Sequence, residues 1–124
     1  MARRLRIVVV EDDASMRHSI GRLLRASGFE CVEYDSAEAL LQSEDPQDWD
    51  CLVTDMHLPG MSGLDLVEKL RLQHPAMPAV FITAYDEAKR RERALGCHRA
   101  AYLTKPFEGT ALPEVIRKVT LSCR

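Results

Sequence analysis

Short apolar runs recur along the chain, and segments with helical spacing separate them. The runs comprise residues Leu5 to Val10, Cys51 to Thr54, Ala79 to Ile82 and Ala101 to Thr104, with a weaker alternating run from Cys31 to Tyr34. Nearly continuous apolar runs of this length are typical of strands that are covered on both faces of a parallel sheet. The pattern therefore predicts an α/β chain in which a βα unit occurs five times.

The intervening segments predict five helices. The first runs from about Ala14 to Ser27, and Gly28 is expected to end it in a left-handed conformation. A capping-box-like pair, Asp35 and Glu38, predicts the start of a short second helix. The other three predicted helices are a third opened by Ser62 and closed by Pro75, a fourth from Asp86 to Leu95 and a fifth carrying Leu112, Val115, Ile116 and Val119.

Chain length and element order together predict the fold class. An open five-stranded sheet of this size commonly has the flavodoxin-like strand order 2-1-3-4-5. We therefore predict a doubly wound parallel sheet in a single domain over residues 1–124. A chain of 124 residues can bury one core without disulfides or a structural metal. The four cysteines lack C-x-x-C spacing, so we expect reduced thiols and a cytoplasmic location.

Charge and hydropathy argue against two classes of partner. The chain has 17 Lys and Arg residues against 19 Asp and Glu residues, a net charge of -2. Such a balance gives no overall attraction to a nucleic-acid backbone, so we expect no direct nucleic-acid binding. The first apolar run, Leu5 to Val10, is too short for a signal peptide or a membrane span, so no membrane association is expected.

Polar residues stand where the apolar runs end. Asp12, Asp55, Thr83 and Lys105 each lie at or just past such an end. Because parallel strands present their carboxyl ends at one edge of the sheet, these residues are expected to share a site. With Glu11 beside Asp12, several carboxylates would crowd together, which raises their proton affinity or demands a cation. Hard oxygen ligands favour Mg²⁺ or Mn²⁺ over zinc.

Such a site could carry phosphoryl transfer. A carboxylate beside a divalent cation, here Asp55, can accept a phosphoryl group, and Thr83 and Lys105 could contact its oxygens. Each residue also has a simpler explanation. Acids are favoured near a helix N-terminus, a threonine can cap a helix, and a lysine often lies at an exposed edge. The occurrence of all of them together favours the shared site.

Four sequence motifs resemble the receiver domain of response regulators, over essentially the whole chain. They are Val9-Val10-Glu11-Asp12-Asp13, the run from Val53 to Gly63, Ile82-Thr83-Ala84, and Tyr102-Leu103-Thr104-Lys105-Pro106-Phe107. The resemblance implies capture of a phosphoryl group from a sensor histidine kinase or a phosphotransfer protein. It implies a signalling domain that catalyses its own phosphorylation and dephosphorylation, rather than an enzyme acting on a free substrate.

The resemblance also implies a role for individual residues of the acidic site. Asp55 would be the phosphoacceptor, and Lys105 would pair with the phosphoryl group. Glu11 and Asp12 would hold Mg²⁺ together with Asp55 and the backbone carbonyl of His57. Many members of the family have two aspartates at the positions of Glu11 and Asp12, and the longer glutamate arm could shift the ion while keeping its charge.

Three further expectations follow from the resemblance. Thr83 and Tyr102 would form a switch pair that remodels the face made by the fourth helix, fifth strand and fifth helix. The Lys105–Pro106 bond is expected to be cis. His57 and Tyr85 each lie two residues after a site residue, where they would govern water access and thereby the lifetime of the acyl phosphate.

The output of the domain is a separate expectation. The run Met61 to Leu66 is similar to receivers of the FixJ type, which usually precede a DNA-binding domain, so a C-terminal output domain absent from this chain is expected. Phosphorylation-dependent homodimerisation is left open. Two other functions stay in view, a flavodoxin-like small-molecule binder and a metal-dependent phosphatase. The acidic first loop argues against the first, and the lack of a cap-sized insertion argues against the second.

Overall fold

Five strands alternate with five helices along the chain. The computed structural model describes residues 4–43, 48–84, 88–96 and 99–121. The strands are β1 (Arg6–Val10), β2 (Glu30–Tyr34), β3 (Cys51–Asp55), β4 (Ala79–Thr83) and β5 (Ala100–Thr104). The helices are α1 (Ala14–Ala26), α2 (Ala37–Gln42), α3 (Gly63–Leu70), α4 (Ala88–Leu95) and α5 (Ala111–Leu121). The predicted alternation of βα units is confirmed.

All neighbouring strands of the sheet are parallel, in the order β2-β1-β3-β4-β5. This is the predicted flavodoxin-like order. Every residue of β3 and β4 is buried, whereas the edge strands β2 and β5 are mostly half-buried. These two fully buried strands, β3 and β4, end in the polar residues Asp55 and Thr83. The fold therefore brings polar side chains to the carboxyl edge of an otherwise apolar layer.

Hydrophobic packing covers both faces of the sheet. Because side chains alternate along a strand, Ile7 and Val9 of β1 join one core and Val8 and Val10 join the other. Helices α1 and α5 pack over the first of these, and α2, α3 and α4 pack over the second. The sheet is thus doubly wound, as the near-continuous apolar runs predicted.

Capping residues explain where several helices begin and end. Asp13 accepts hydrogen bonds from Ser15 N at 2.9 Å and Met16 N at 3.3 Å, which caps α1. At the other end of α1, Gly28 has φ +94°, the left-handed conformation expected there. Ser62 caps α3 by accepting from Asp65 N at 3.2 Å.

Two sequence expectations about helix ends are wrong. The α2 cap is Ser36, whose hydroxyl accepts from Ala39 N at 3.0 Å, and not the Asp35 and Glu38 pair. Ser36 stands one residue closer to the first helical residue, so its short side chain reaches the free N–H groups. Helix α3 ends at Leu70 and turns follow it, well before Pro75.

Helix α4 packs on the core through Ala94 and pairs with α3 through Arg93. Ala94 is buried in the core, and Arg93 donates to Glu68 of α3 at 2.6 Å, with Asp65 at 3.7 Å. Asp86 and Glu87, which the sequence placed in this helix, lie outside the described residues. An exposed ion pair thus connects α4 to α3.

Two remaining sequence expectations concern the thiols and the membrane. Neither Cys31 nor Cys51 forms a disulfide bond within the described ranges, and Cys97 and Cys123 lie outside those ranges. Burial raises the pKa of the Cys31 thiol to about 11, which makes it a poor nucleophile at neutral pH. Within the described ranges, none of the helices combines the length and the apolar character that crossing a bilayer requires.

Gly63 lets α3 begin directly against the end of β3. A Cβ atom at this position would overlap the backbone carbonyl oxygen of Asp55. We predict that Gly63→Ala lowers the free energy of unfolding by about 1–3 kcal/mol, because backbone atoms must move to admit the methyl group. Chemical denaturation measures the change. Gly109→Ala is the matched control, since Gly109 has open space around it, and an equal loss in both variants would contradict the prediction.

Candidate functional site

A polar cleft of about 310 Å³ opens at the carboxyl edge of the sheet. It lies where β1, β3 and β4 end and where the chain leaves β5. Its lining residues are Glu11, Asp12, Asp13, Asp55, His57, Ala84 and Lys105. Asp12, Asp55 and Lys105, which are far apart in the sequence, thus share one cleft as the strand-end pattern predicted, whereas Thr83 is not among its lining residues.

Glu11 lies at the bottom of this cleft with only 1% of its surface exposed. Its backbone N–H donates to the Tyr34 carbonyl at 3.1 Å, which continues the pairing of β1 with β2. One carboxylate oxygen accepts from Lys105 Nζ at 2.7 Å, and the other accepts from Asp13 N at 3.3 Å. Burial, reinforced by the charge of Asp55, raises the pKa of Glu11 to about 7 in spite of these hydrogen bonds.

Asp55 ends β3 and is 7% exposed. Its Oδ1 atom accepts from the backbone N–H of His57 at 2.8 Å, and its Oδ2 atom accepts from Lys105 Nζ at 3.1 Å. The next residue is fixed as well, because Met56 N donates to the Ile82 carbonyl at 2.8 Å. The carboxylate is therefore held in one orientation, facing the cleft.

Lys105 joins the two buried carboxylates. Its backbone N–H donates to the Thr83 carbonyl at 2.7 Å, which places the side chain across the end of β4. Burial by itself lowers the pKa of Lys105, but the hydrogen bonds and charges of Glu11 and Asp55 outweigh burial and raise it above 10.5. The lysine is thus a fixed positive charge. Only 14% of its side chain is exposed, so it is not the exposed edge lysine of the simpler explanation.

The three acidic residues that follow β1 make different contacts. Asp13 caps α1, so the helix N-terminus takes up one carboxylate of the Glu11-Asp12-Asp13 run. Asp12 is exposed at the mouth of the cleft, and carboxylate oxygens of Glu11, Asp12 and Asp55 all lie within 4.8 Å of one another. The capping explanation accounts for Asp13 but leaves the other two acids of the run for the cleft.

The donor set of the cleft fits a divalent cation. Three carboxylates facing one ammonium group leave two negative charges when all are ionised. Burial, and after it the charge of Asp55, raises the pKa of Glu11, so a nearby cation would favour its ionised form. Carboxylate oxygens are the ligands that Mg²⁺ and Mn²⁺ prefer. Glu11, Asp12 and Asp55 could hold such an ion, with the His57 backbone carbonyl as the further ligand implied by the resemblance.

The remaining sequence-predicted residues lie around this centre. Thr83 is fully buried at the end of β4 and is not among the residues that line the cleft. Tyr102 is half-buried in β5, where its ring packs against the core beneath α2, α3 and α4. The Lys105–Pro106 peptide bond is cis, the isomer that the resemblance implied. Tyr85 lies outside the described residues.

Sequence reasoning assigned no part in the site to three residues that contribute to this edge. Ala84 lines the cleft directly after Thr83, where its small side chain leaves room. Arg17 of α1 donates to the Glu11 carbonyl at 2.9 Å. Glu38 of α2 accepts from Met61 N, in the loop after Asp55, at 3.1 Å. Arg17 lies one helical turn after Asp13, and this spacing could have indicated its position near the acidic run. No sequence pattern indicates the contact of Glu38 with Met61, because the two residues lie in different segments.

Comparison with known proteins identifies the family. The sequence model of the family described as "Response regulator receiver domain" matches residues 7–117, which include every described residue of the cleft. This chain belongs to the receiver domain family. It is therefore a receiver domain of two-component signalling, and receiver domains of this family bind Mg²⁺ at an acidic pocket.

Individual relatives of this receiver domain have related names. Nodulation protein W of Bradyrhizobium diazoefficiens is 39% identical over 92% of the chain, which spans 50% of that protein. The transcriptional regulatory protein FixJ of Azorhizobium caulinodans is 32% identical over 94% of the chain, which spans 56% of that protein. The receiver domain thus spans about half the length of these curated relatives.

Solved structures agree with the fold. A CheY-like receiver domain protein from Methanospirillum hungatei superposes with a TM-score of 0.88 at 26% identity, over 98% of this chain and 97% of that one. Full-length FixJ from B. japonicum gives a TM-score of 0.88 at 28% identity, over 99% of this chain and 61% of that one. The flavodoxin-like fold is therefore shared with CheY-like receivers.

The crowding of carboxylates predicts that repulsion between them lowers the free energy of unfolding of this receiver domain when no cation is bound. We predict that Glu11→Gln raises the free energy of unfolding in EDTA at pH 8 by ~1 kcal/mol, because the buried charge is removed while the shape is kept. The difference in stability between Glu11→Gln and the parent should grow with pH. Because the pKa of Glu11 is raised in the folded state, its protonation stabilises the folded parent fully below pH 4.5, and this stabilisation is lost as the pH rises through about 7.

Chemical denaturation at pH 6 and pH 8 measures this effect. Glu30→Gln on β2 is the matched control, because Glu30 is exposed and should change stability little. A loss of stability in Glu11→Gln at pH 8, larger than in the control, would show that Lys105 fully compensates the buried charge.

Proposed function

We propose that this receiver domain accepts a phosphoryl group on Asp55 from a histidine kinase or a phosphotransfer protein, in a Mg²⁺-dependent reaction. The observation that carries the proposal is the fixed Asp55 carboxylate. One of its oxygens is bound to Lys105 and the other to the His57 N–H, in a cleft that also holds Glu11 and Asp12. Residues 7–117 match the family, and one sheet contains all five strands, which supports a single receiver domain over residues 1–124.

The transfer needs little chemistry from the side chains beyond position and charge. The carboxylate oxygen of Asp55 forms a bond to phosphorus as the bond from phosphorus to the donor imidazole nitrogen breaks. The nitrogen then regains a proton, and Asp55 becomes an acyl phosphate. Lys105 stabilises the negative charge of the transferred group. A bound Mg²⁺ would neutralise charge on the phosphoryl oxygens.

The phosphorylated form is lost by hydrolysis of the bond between phosphorus and the Asp55 carboxylate oxygen. Water attacks phosphorus, inorganic phosphate leaves, and the Asp55 carboxylate is restored. We propose that His57 and Tyr85 set the lifetime of the phosphorylated form by controlling how water reaches phosphorus. His57 lines the cleft, which supports its part of the proposal.

Alternatives from other functional classes fit the cleft less well. Two excess negative charges would repel the phosphate of a flavin nucleotide, so a flavodoxin-like binder is disfavoured. A role in gene regulation is supported by the names of the relatives, since FixJ is called a transcriptional regulatory protein. We propose that the whole protein carries a DNA-binding output domain in the part that this chain does not span.

Phosphorylation on one residue is directly measurable. Incubation with acetyl phosphate and Mg²⁺ should add the mass of one phosphoryl group to the parent, and Asp55→Asn should show no adduct because the acceptor oxygen is lost. EDTA should suppress the adduct in the parent. Intact-protein mass spectrometry measures it.

The matched control is Asp65→Asn, which removes an exposed acid from α3. This variant should be phosphorylated as the parent is. An adduct on Asp55→Asn, or turnover of acetyl phosphate with no protein adduct, would contradict the proposal and favour a phosphatase acting on free substrate.

The switch pair makes a second prediction. We expect phosphorylation of the parent to shift the amide NMR signals of β5 near Tyr102, because the Thr83 hydroxyl is drawn to the phosphoryl group and the packing of the ring changes. Thr83→Ala should form the adduct but lose most of the shift. Thr83→Ser, which keeps the hydroxyl, should retain it. An undiminished shift in Thr83→Ala would exclude Thr83 from the switch.

A further inference from the structure

The loop that follows Asp55 is tied to α2 by one side chain. The Glu38 Oε2 atom accepts a hydrogen bond from the backbone N–H of Met61 at 3.1 Å, across 23 residues of sequence. Glu38 is available for this contact because Ser36 already caps the helix. Buried Ala37 and Leu40 anchor α2 in the core, so the carboxylate projects from a firmly packed helix.

The conformation of the loop is matched to this contact. Gly60 has φ +77°, which favours glycine, and a Cβ atom there would lie 2.7 Å from Glu38 Oε2. The absence of a side chain therefore lets the carboxylate approach the loop closely. Pro59 and Gly60 are exposed, so apolar burial does not fix this part of the loop.

The far end of the same loop belongs to the acidic cleft. His57 N donates to Asp55 Oδ1, and Gly63 N donates to the Met56 carbonyl at 3.2 Å. Leu58 is buried between the cleft and the exposed tip. Only Leu58, Pro59 and Gly60 separate His57 from Met61, so the position of the Met61 backbone constrains the path of the chain as it leaves the cleft.

We propose that Glu38 is a positioning residue for the cleft. By holding the Met61 N–H it fixes the loop whose first residues orient Asp55 and present the His57 carbonyl, and it thereby sets the affinity for Mg²⁺ and the rate of phosphoryl capture. The inference rests on the proposed function for the second effect only. Partners that orient metal ligands in this way commonly change metal affinity when they are removed.

Two substitutions separate the hydrogen bond from the charge. Glu38→Ala removes both, whereas Glu38→Gln removes the charge and keeps an oxygen acceptor for Met61 N. We expect Glu38→Ala to raise the Mg²⁺ concentration for half-saturation about threefold to tenfold, the range expected for loss of one hydrogen bond. Glu38→Gln should remain within about twofold of the parent. Asp35→Ala is the matched control, since it removes an exposed carboxylate beside the same helix.

Three measurements apply to each variant. Mg²⁺ titration followed by amide NMR signals of residues 55–61 gives half-saturation. Hydrogen exchange of the Met61 amide should accelerate in Glu38→Ala and not in Glu38→Gln. The initial rate of adduct formation with acetyl phosphate should fall in Glu38→Ala in parallel with the loss of Mg²⁺ affinity.

The outcomes distinguish this inference from the function on which it partly rests. Equal behaviour of Glu38→Ala and Glu38→Gln, or an effect of the same size in Asp35→Ala, would overturn the positioning role and indicate a general charge effect. Unchanged Mg²⁺ half-saturation in Glu38→Ala would overturn it as well. If the parent forms no adduct, phosphoryl capture fails, while the titration and the exchange of Met61 still decide the role of Glu38.

Discussion

The contact of the Lys105 ammonium group with the carboxylates of Glu11 and Asp55 is the interaction on which the rest of the site depends. Both carboxylates are buried, and a buried charge without a partner is destabilising by several kcal/mol. One lysine neutralises only one carboxylate, so the cleft still attracts positive charge when Lys105 is in place. This shortage favours a divalent cation in the cleft, and in the proposed function the same cleft presents the Asp55 carboxylate for phosphoryl transfer.

The parallel sheet makes that contact geometrically simple. Glu11 follows β1, Asp55 is the last residue of the adjacent strand β3, and Lys105 follows β5, one strand beyond β4. The Thr83 carbonyl at the end of β4 receives the backbone N–H of Lys105, which directs the lysine side chain back across β4. In the proposed function, phosphorylation of Asp55 would reach the end of β4 through Lys105, whose ammonium group contacts Asp55 and whose backbone N–H contacts the Thr83 carbonyl.

Much of the fold and the centre of the site could be predicted from sequence, because both depend on local patterns. Apolar runs that stop at Asp55 or Thr83 mark strand ends, and a parallel sheet necessarily aligns such ends. The helix ends were predicted less well. Asp35 and Glu38 have capping-box spacing, but the neighbouring Ser36 is the cap, since spacing alone does not show which side chain reaches the free N–H groups.

The sequence by itself determined the alternation of strands and helices, the two-faced burial of the sheet and the placement of the acids with Lys105. These properties follow from periodicity and from the polar residues that end apolar runs. Only the tertiary structure decided that Glu38 contacts the loop after Asp55 and that Arg93 pairs with Glu68. Such features arise from contacts between segments that are distant in sequence, and no periodic pattern of residues encodes them.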